Sequence, residues 1–404
     1  MIDRRSFLLA GAAAGMACRM SADREPDYAA PAYEAPLLDF STVKAPVRIE
    51  SIELLRAGKE YFVRATGGGL SGVVRTKQVE HYIPILLDLV IPHFIGGDAR
   101  DLEALIDLVY TKNYKISGQA FWCPVAYVEQ SLLDLLGRVA GKPAGSFFGP
   151  VTRTEIPVYL SGSGRETTAE EEVDVYVRGV QATGAKAVKF KIGGRMSRNA
   201  DATPGRTAKL LDLARRKLGD GIVLYADANG SYDARKGIEI GRQLEKLGFQ
   251  FFEEPCPWEE LTETKKVADA LDIPVAGGEC DHSLWRYQYM VEQRVVDIVQ
   301  PDLNYNGGLI RAARVARMAR EAGLPITPHN TQTGASSGNI LQFASVIPNT
   351  GPYMEYPWRR PPKQESWFTP HFDVAGGAVP VPKGPGLGVE IDPDYLRKAE
   401  RIAT

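Results

Sequence analysis

Three acidic residues follow short β-rich runs at a constant interval: Asp227 in YADAN, Glu253 in FFEEP and Glu279 in AGGEC lie 26 residues apart. A single acidic residue in such a position is usually a helix cap or a surface charge. Three carboxylates that met at one point would repel one another unless a cation neutralised them. Because an all-oxygen ligand set suits a hard divalent ion, the pattern predicts a Mg²⁺ site.

Two lysines lie on the β-rich run that comes before this set, VKFKIGG at 188–194. Lys189 and Lys191 are two residues apart, so on a strand they share one face, opposite the apolar residues. An uncompensated ammonium is costly to bury, and it therefore needs charged neighbours. Beside a cation, the pKa of a lysine falls toward the range that is useful for a base. We therefore expect the lysines next to the metal site.

A histidine and an aspartate end two later runs, His329 in ITPHN and Asp302 in QPD. An aspartate beside a histidine commonly fixes the tautomer and the orientation of its ring. A lone histidine would more often be structural, whereas this pair is typical of a general base. Glu355 in YMEYP ends the last run, and from its position alone it could equally be a cap or an ion-pair partner.

These residues end β-rich runs that start at Ile156 and alternate eight times with amphipathic helical stretches. Such alternation predicts an α/β fold with a parallel sheet, and eight units in succession predict a closed barrel. The polar residues are 23 to 27 residues apart, about the length of one strand, one helix and two turns. They are therefore expected at the C-terminal strand ends, the rim where barrel active sites are built.

The chain before the barrel has a different pattern. Three strand-like runs occupy residues 47–75, and helical patterns follow at 79–96 and 125–141, which together predict an α+β domain. The predicted division is an export signal and linker at 1–45, the α+β capping domain at 46–150, the barrel with the active site at 151–372 and a C-terminal segment at 373–404.

The first residues resemble an export signal. Arg4 and Arg5 precede a small-residue apolar run, the layout of a twin-arginine leader, which predicts an exported or periplasmic protein. Cys18 could be a lipid attachment site, although Gly15 is a poor match to that signal. The alternative is a cytoplasmic protein with a short apolar run at its N-terminus.

Composition limits the partners. The chain has 404 residues, a formal net charge of −2 and 44% apolar residues, without a long basic run or an apolar stretch long enough to span a membrane. These features argue against nucleic acid as the main partner, and no membrane span is predicted. A small-molecule carboxylate is the expected substrate class.

The ordered motifs KFK, DAN, EEP, GGE, QPD with a following NGG, PHN and the late glutamate resemble the enolase superfamily, in its mandelate racemase subgroup, over residues 46–395. The resemblance implies a modified (β/α)₇β barrel covered by an N-terminal α+β capping domain, to which the C-terminal segment returns. It also implies Mg²⁺-dependent removal of a proton next to a carboxylate, giving an enediolate, and a homo-oligomeric state.

The resemblance assigns roles to the residues that match the motifs. It implies that Asp227, Glu253 and Glu279 are the metal ligands. Lys191, the second lysine of KFK, would be a general base on one face of the substrate. Lys189 would help to hold the substrate carboxylate and tune its neighbour.

On the opposite face, the resemblance makes His329, supported by Asp302, a base or an acid. Glu355 would donate a hydrogen bond to an enediolate oxygen, and Asn229 of DAN would contact the substrate near the metal. The muconate cycloisomerase and dipeptide epimerase branch would require a lysine near the end of the sixth strand, where this chain has Asp302.

Two bases on opposite faces permit more than one reaction. Dehydration of an acid sugar to a 2-keto-3-deoxy acid is favoured, since such dehydratases are common in the subgroup, and racemisation or epimerisation of a 2-hydroxy or amino acid is the alternative. A catalytically inactive exported carbohydrate-binding or scaffold protein is a third hypothesis, which the complete set of ligands and bases disfavours. The resemblance places specificity in cap loops, here including the basic turn RAGKE at 56–60.

Overall fold

The computed structural model describes residues 36–162, 164–358 and 365–402. The predicted export signal and Cys18 lie outside these residues. Within the described ranges, every helix is either too short or too polar to cross a bilayer.

An N-terminal α+β unit, the cap, precedes the barrel. Its antiparallel sheet contains β1 (Ser51–Ala57), β2 (Glu60–Gly67) and β3 (Leu70–Arg75), and its helices are α1 (Leu102–Asn113) and α2 (Gln119–Ala140). α2 is buried from Phe121 to Gly137 because it packs between the cap sheet and the barrel. The helix expected at 125–141 is thereby confirmed, with an earlier start.

The second helical pattern of the cap, at 79–96, does not form one continuous helix. Short 3₁₀ turns at Val79–His81 and Ile91–His93 enclose a wider π-helical segment at Ile85–Val90. Pro84 and Pro92 lie in this stretch, and because proline lacks a backbone N–H, each removes a hydrogen bond that an α-helical ladder would need. The helical pattern predicted at 79–96 is therefore present as short 3₁₀ and π segments and not as a regular α-helix.

The barrel strands are β4 (Glu155–Ser161), β5 (Ala187–Lys191), β6 (Val223–Asp227), β7 (Phe251–Glu253), β8 (Val275–Gly277), β9 (Ile298–Val299) and β10 (Met354–Pro357). The helices that alternate with them are α3 (Ala169–Thr183), α4 (Arg206–Leu218), α5 (Ala234–Lys246), α6 (Leu261–Ala270), α7 (Leu284–Glu292), α8 (Leu309–Glu321) and α9 (Ser337–Val346). Consecutive strands from β4 to β9 pair in parallel, and β10 returns to pair with β4. This is the predicted α/β architecture, a modified (β/α)₇β barrel with an N-terminal cap.

One expected strand, in LPITPHN, is reduced to a single residue. Ile326 forms parallel bridges to Val299 of β9 on one side and to Thr350 on the other. Pro325 and Pro328 flank it, and because neither can donate a backbone hydrogen bond, a longer ladder cannot form. The seventh strand position of the barrel is therefore occupied by one residue, Ile326, with a bridge on each side.

The inside of the barrel is apolar toward the N-terminal strand ends and charged toward the C-terminal ends. Tyr159, Tyr225 and Phe251 pack together at the lower level, where the rings of Tyr225 and Phe251 stack with centroids 3.8 Å apart. Lys189 and Lys191 lie above them on the inward face of β5. The two lysines are thus buried between this layer of aromatic rings and the rim that the C-terminal strand ends form.

The C-terminal segment contacts both the barrel and the cap. It contains β11 (Phe368–Thr369), β12 (Ala378–Pro380), β13 (Glu390–Ile391), the short helix α10 (Pro393–Arg397) and β14 (Glu400–Ile402). β12 pairs with β4 of the barrel, and β14 adds a strand to the cap sheet by pairing with β1. Between them, the backbone N–H of Leu387 donates to Asp134 of α2 at 2.8 Å.

The cap docks on the barrel at the NGG motif, residues 306–308. The Glu129 carboxylate of α2 accepts hydrogen bonds from the backbone N–H groups of Leu309 (2.6 Å) and Ile310 (3.3 Å), at the start of α8. Gly308 has a φ of 119°, and a Cβ added there would lie 2.1 Å from Glu129 Oε2. A glycine is therefore needed for the cap carboxylate to reach the N-terminus of α8.

Gly308→Ala is expected to lower the free energy of unfolding by about 3–5 kcal/mol, because it strains the backbone and displaces a buried carboxylate from its N–H donors. Gly323→Ala is the matched control: Gly323 also has a positive φ (70°), but no described atom lies within 4 Å of an added Cβ. That control should cost about 1–2 kcal/mol. Chemical denaturation measures both, and equal costs would show that the Glu129 contact contributes nothing.

Candidate active site

Strand register places the first members of the site side by side. Lys191 at the end of β5 pairs with Asp227 at the end of β6, and Asp227 pairs with Glu253 at the end of β7. Glu279 follows β8 after Gly278, whose φ of 108° allows the chain to turn back toward the barrel axis. Residues that are evenly spaced in the sequence therefore lie at the same level of the barrel, on its C-terminal rim.

The three carboxylates converge. Asp227, Glu253 and Glu279 are buried, and one oxygen of each lies within 4.8 Å of the others. Burial and the charge of Asp227 raise the pKa of Glu253 well above its ordinary value. Burial would also raise the pKa of Asp227, but Lys191 and Lys189 outweigh it and lower that pKa. Lysine charge thus offsets only part of the repulsion within the cluster.

A divalent ion fits this cluster. Glu279 Oε2 is buried and accepts no hydrogen bond from the described residues, although His329 Nε2 lies 3.4 Å away. Glu254, Glu279 and Cys280 form a second group of similar spacing, but burial raises the pKa of the Cys280 thiol, and Mg²⁺ prefers oxygen ligands. Asp227, Glu253 and Glu279 are therefore the residues whose chemistry suits Mg²⁺.

Both lysines form ion pairs inside the barrel. Lys189 Nζ lies 2.7 and 2.8 Å from the two oxygens of Glu253 and 2.9 Å from Glu355 Oε1, and Lys191 Nζ donates to Asp227 Oδ2. Burial lowers the pKa of each lysine, but the carboxylates outweigh burial, so both pKa values are raised. This differs from the expected lowering, which assumed that a cation stands beside the ammonium groups.

His329 and Asp302 form the expected pair. Asp302 Oδ2 lies 2.8 Å from His329 Nδ1, and Asp302 Oδ1 accepts from the backbone N–H groups of Asn304 (2.7 Å) and Tyr305 (3.0 Å). Burial lowers the pKa of His329, but Glu279 and Asp302 reverse this and raise it to about 9. These two carboxylates thus favour the protonated ring, with Nδ1 beside Asp302 and Nε2 toward Glu279.

The cap supports this pair from behind. Gln130 of α2 is buried, donates to Asn304 Oδ1 at 3.1 Å and accepts from Asn339 Nδ2 at 2.7 Å. Because the backbone N–H of Asn304 binds Asp302, the position of the cap helix is relayed to the partner of His329.

Glu355, on β10, is an acceptor in this arrangement. It accepts from the backbone N–H of Asn330 at 3.0 Å and pairs with Lys189. Burial would raise its pKa, but Lys189 and His329 outweigh burial and lower the pKa to about 2. In this arrangement Glu355 is a charge partner of Lys189, and its expected donation to an enediolate oxygen stays a prediction.

Asn229 borders the carboxylate cluster. Its backbone has a φ of 42°, and its Nδ2 lies 3.3 Å from Asp227 Oδ2 and 3.4 Å from Glu254 Oε2. Its Oδ1 is buried without a hydrogen-bond donor among the described residues. That oxygen is therefore available to a bound molecule.

A cavity of about 640 Å³ opens onto these groups. The expected site residues that line it are Lys191, Asn229, Glu279, His329 and Glu355. The expected site residues that lie behind this lining, in contact with it, are Asp227, Glu253, Lys189 and Asp302. The structure thus brings all nine together at one place.

Glu254 and Lys77 are among the charged cavity residues that the sequence reasoning missed. Glu254, the second glutamate of EEP, is buried beside Asn229, and the doubled glutamate is the signal that could have revealed it. Lys77 reaches the cavity from the end of β3, whereas the RAGKE turn at 56–60 is not among the described lining residues. Nothing in the local pattern distinguishes Lys77 from a surface lysine, because only the docking of the cap brings it there.

Comparisons with known proteins agree with this geometry. A family model described as "Enolase C-terminal domain-like" matches residues 172–395. Arabinonate dehydratase from Saccharolobus solfataricus is 30% identical over 304 residues, which make up 72% of this chain and 77% of that protein.

Solved structures show the same fold. A candidate racemase from Roseobacter denitrificans superimposes with a TM-score of 0.83 at 36% identity, covering 89% of this chain and 100% of that one. A mandelate racemase/muconate lactonizing protein from Paracoccus denitrificans, solved in complex with magnesium, superimposes with a TM-score of 0.80 at 28% identity, covering 88% and 99% of the two chains. This chain therefore belongs to the enolase superfamily, as its motifs indicated.

Proposed function

We propose that this protein dehydrates an acid sugar to a 2-keto-3-deoxy acid, with Mg²⁺ as its cofactor. The observation that carries the proposal is the placement of Lys191 and His329 at one cavity, next to three converging carboxylates. The similarity to an arabinonate dehydratase and to a magnesium-bound relative supports it.

The reaction requires compensation of negative charge. A proton on the carbon next to a carboxylate is only weakly acidic, because its removal adds a second negative charge to the carboxylate. Mg²⁺ held by Asp227, Glu253 and Glu279 would supply a positive charge where that negative charge develops. Lys189, fixed between Glu253 and Glu355, adds a second positive charge from below.

Lys191 removes the proton in this proposal. The C2–H bond breaks, the proton moves to Nζ, and the electron pair is taken up by the substrate carboxylate. Lys191 must be neutral to accept the proton, and Asp227 opposes this in the present arrangement by raising its pKa. Ligation of an ion by Asp227 would weaken that opposition.

His329 completes the elimination. Asp302 holds Nδ1 of the ring, so that in its protonated form Nε2–H can donate to the hydroxyl group that leaves C3. The C3–O bond breaks and water departs. The resulting enol then becomes the 2-keto-3-deoxy acid by tautomerisation.

A panel of aldonic and aldaric acids, incubated with the protein and Mg²⁺, tests this proposal. We expect at least one acid to lose one molecule of water and to yield a product that reacts as a 2-keto acid, both detected by mass spectrometry. The His329→Asn protein serves as the negative control. Turnover of no acid, or turnover that His329→Asn leaves intact, would contradict the proposal.

Racemisation is the second candidate, because the two groups that line the cavity could each exchange a proton with C2. The similarity to a candidate racemase supports this alternative. The same panel separates the two, since racemisation changes the configuration at C2 without changing the mass in ordinary water.

A further inference from the structure

A cationic group of the cap meets the barrel at the mouth of the cavity. Lys77 follows β3, and its ammonium lies 2.9 Å from the hydroxyl of Tyr305 and also donates to Thr331 Oγ1. It lies 4.9 Å from the centroid of the Tyr305 ring. The lysine thus crosses from the cap to the two loops that carry Asp302 and His329.

The backbone around Lys77 is fixed. The N–H of Lys77 donates to the hydroxyl of Tyr127 at 3.3 Å, and that hydroxyl donates to the carbonyl of Lys77. Tyr127 is buried in α2. The next residue, Gln78, has a φ of 55° and also lines the cavity. This segment is therefore held in place and does not hang loosely over the opening.

The ammonium of Lys77 is not in direct contact with a carboxylate, although its charge helps to lower the pKa of Asp302. Its partners are two neutral hydroxyls, and within the described ranges no acidic side chain forms an ion pair with it. An ammonium has three N–H donors, and these hydroxyls take two of them. A positive charge and one donor therefore remain for a molecule in the cavity.

Lys77 is also separated from the carboxylate cluster. His329 lies beside Glu279, the ring of Tyr305 is 6.1 Å from the ring of His329, and Lys77 binds the hydroxyl of Tyr305. A substrate whose C1 carboxylate lies at the metal ligands would meet Lys77 with its other end.

From this geometry we infer that Lys77 determines specificity by binding a second carboxylate at the far end of the substrate, so that the preferred substrates are aldaric acids. The inference rests on the proposed function, because it assumes that the first carboxylate lies at the metal ligands. An aldonic acid would leave the ammonium facing a neutral CH₂OH group, which can accept only an ordinary hydrogen bond. Arg195 is a second cation of the lining, on the loop after β5, and provides the competing explanation.

The test compares acids that differ only at C6. Glucarate against gluconate and galactarate against galactonate are titrated calorimetrically into the full chain with Mg²⁺. We expect the diacid of at least one pair to bind about tenfold more tightly, since a hydrogen bond to a charged group contributes about that factor. Lys77→Met should abolish the difference, and the matched control Lys59→Met, an exposed cap lysine in the RAGKE turn, should retain it.

Several outcomes would overturn the inference: no preference for either diacid, a preference that Lys77→Met leaves intact, or one that only Arg195→Met removes. Failure of the proposed function is distinguishable. If diacids bind through Lys77 but their C2 proton never exchanges with solvent, the chemistry is wrong and the binding site stands. If C2 exchange occurs without a diacid preference, the proposed chemistry is supported and the role of Lys77 is contradicted. If no acid binds, both proposals fail.

Discussion

Replacing Lys191 by methionine is expected to lower kcat/KM for dehydration by about a thousandfold or more, because the only group proposed to accept the C2 proton is lost. Methionine retains the length of the side chain without its charge. Lys186→Met is the matched control, since Lys186 immediately precedes the same strand but is exposed. Steady-state kinetics on whichever acid the panel identifies measures the effect.

The control should keep nearly full activity. A loss of less than about tenfold in Lys191→Met would show that another base removes the proton. Circular dichroism and a thermal melt must accompany the kinetics, because removing Lys191 leaves the buried Asp227 without its hydrogen-bonded ammonium. A variant that had unfolded would lose Mg²⁺ binding as well as activity, and Mg²⁺ binding by Lys191→Met therefore keeps the result interpretable.

Replacing one of the carboxylates proposed to hold Mg²⁺ is expected to have the second large effect. Glu253→Gln should weaken Mg²⁺ binding by about a hundredfold or more, since it removes a charged oxygen ligand from the trio. Isothermal titration calorimetry measures this without requiring turnover. Activity should fall in parallel at subsaturating Mg²⁺.

Two further variants decide between the overlapping acidic groups. Cys280→Ser should leave Mg²⁺ affinity unchanged, because the thiol belongs only to the group with Glu254 and Glu279. Glu259→Gln, an exposed glutamate on the neighbouring loop, controls for a general loss of negative charge. If Cys280→Ser lost affinity strongly and Glu253→Gln changed little, the ion would instead be bound by the group of Glu254, Glu279 and Cys280.

Much of the site could be predicted because spacing and register reinforce each other. In a parallel barrel each strand and helix together use a nearly constant length of chain, so the acids at 227, 253 and 279 reach the same rim. The pairing of Lys191 with Asp227 and of Asp227 with Glu253 then follows from strand order alone.

Other features depend on contacts that no local pattern contains. Pro325 and Pro328 reduce an apparent strand to the single bridging residue Ile326. The raised pKa of Lys191 depends on which carboxylate lies against it, and the low pKa of Glu355 depends on Lys189. The position of Lys77 at the cavity depends on how the whole cap packs against the barrel.

The NGG motif shows how one segment can serve both structure and function. Its Gly308 admits Glu129 of the cap, while Gln130, the next residue of α2, holds the loop that orients Asp302. Cap docking and the placement of His329 are therefore coupled through consecutive residues of one helix. The glycine of NGG, which takes no part in the chemistry, thus helps to fix the cap helix that positions Asp302 of QPD.

The most direct test of the central claim is deuterium incorporation at C2 of a dehydratable acid in D₂O, followed by proton NMR with the His329→Asn protein, which cannot expel the hydroxyl. With Mg²⁺ present, the C2 proton should still exchange, because Lys191 and the three carboxylates are intact. Exchange should disappear when Mg²⁺ is chelated or when Lys191→Met is added. Exchange that persists without the ion or without Lys191 would contradict the account.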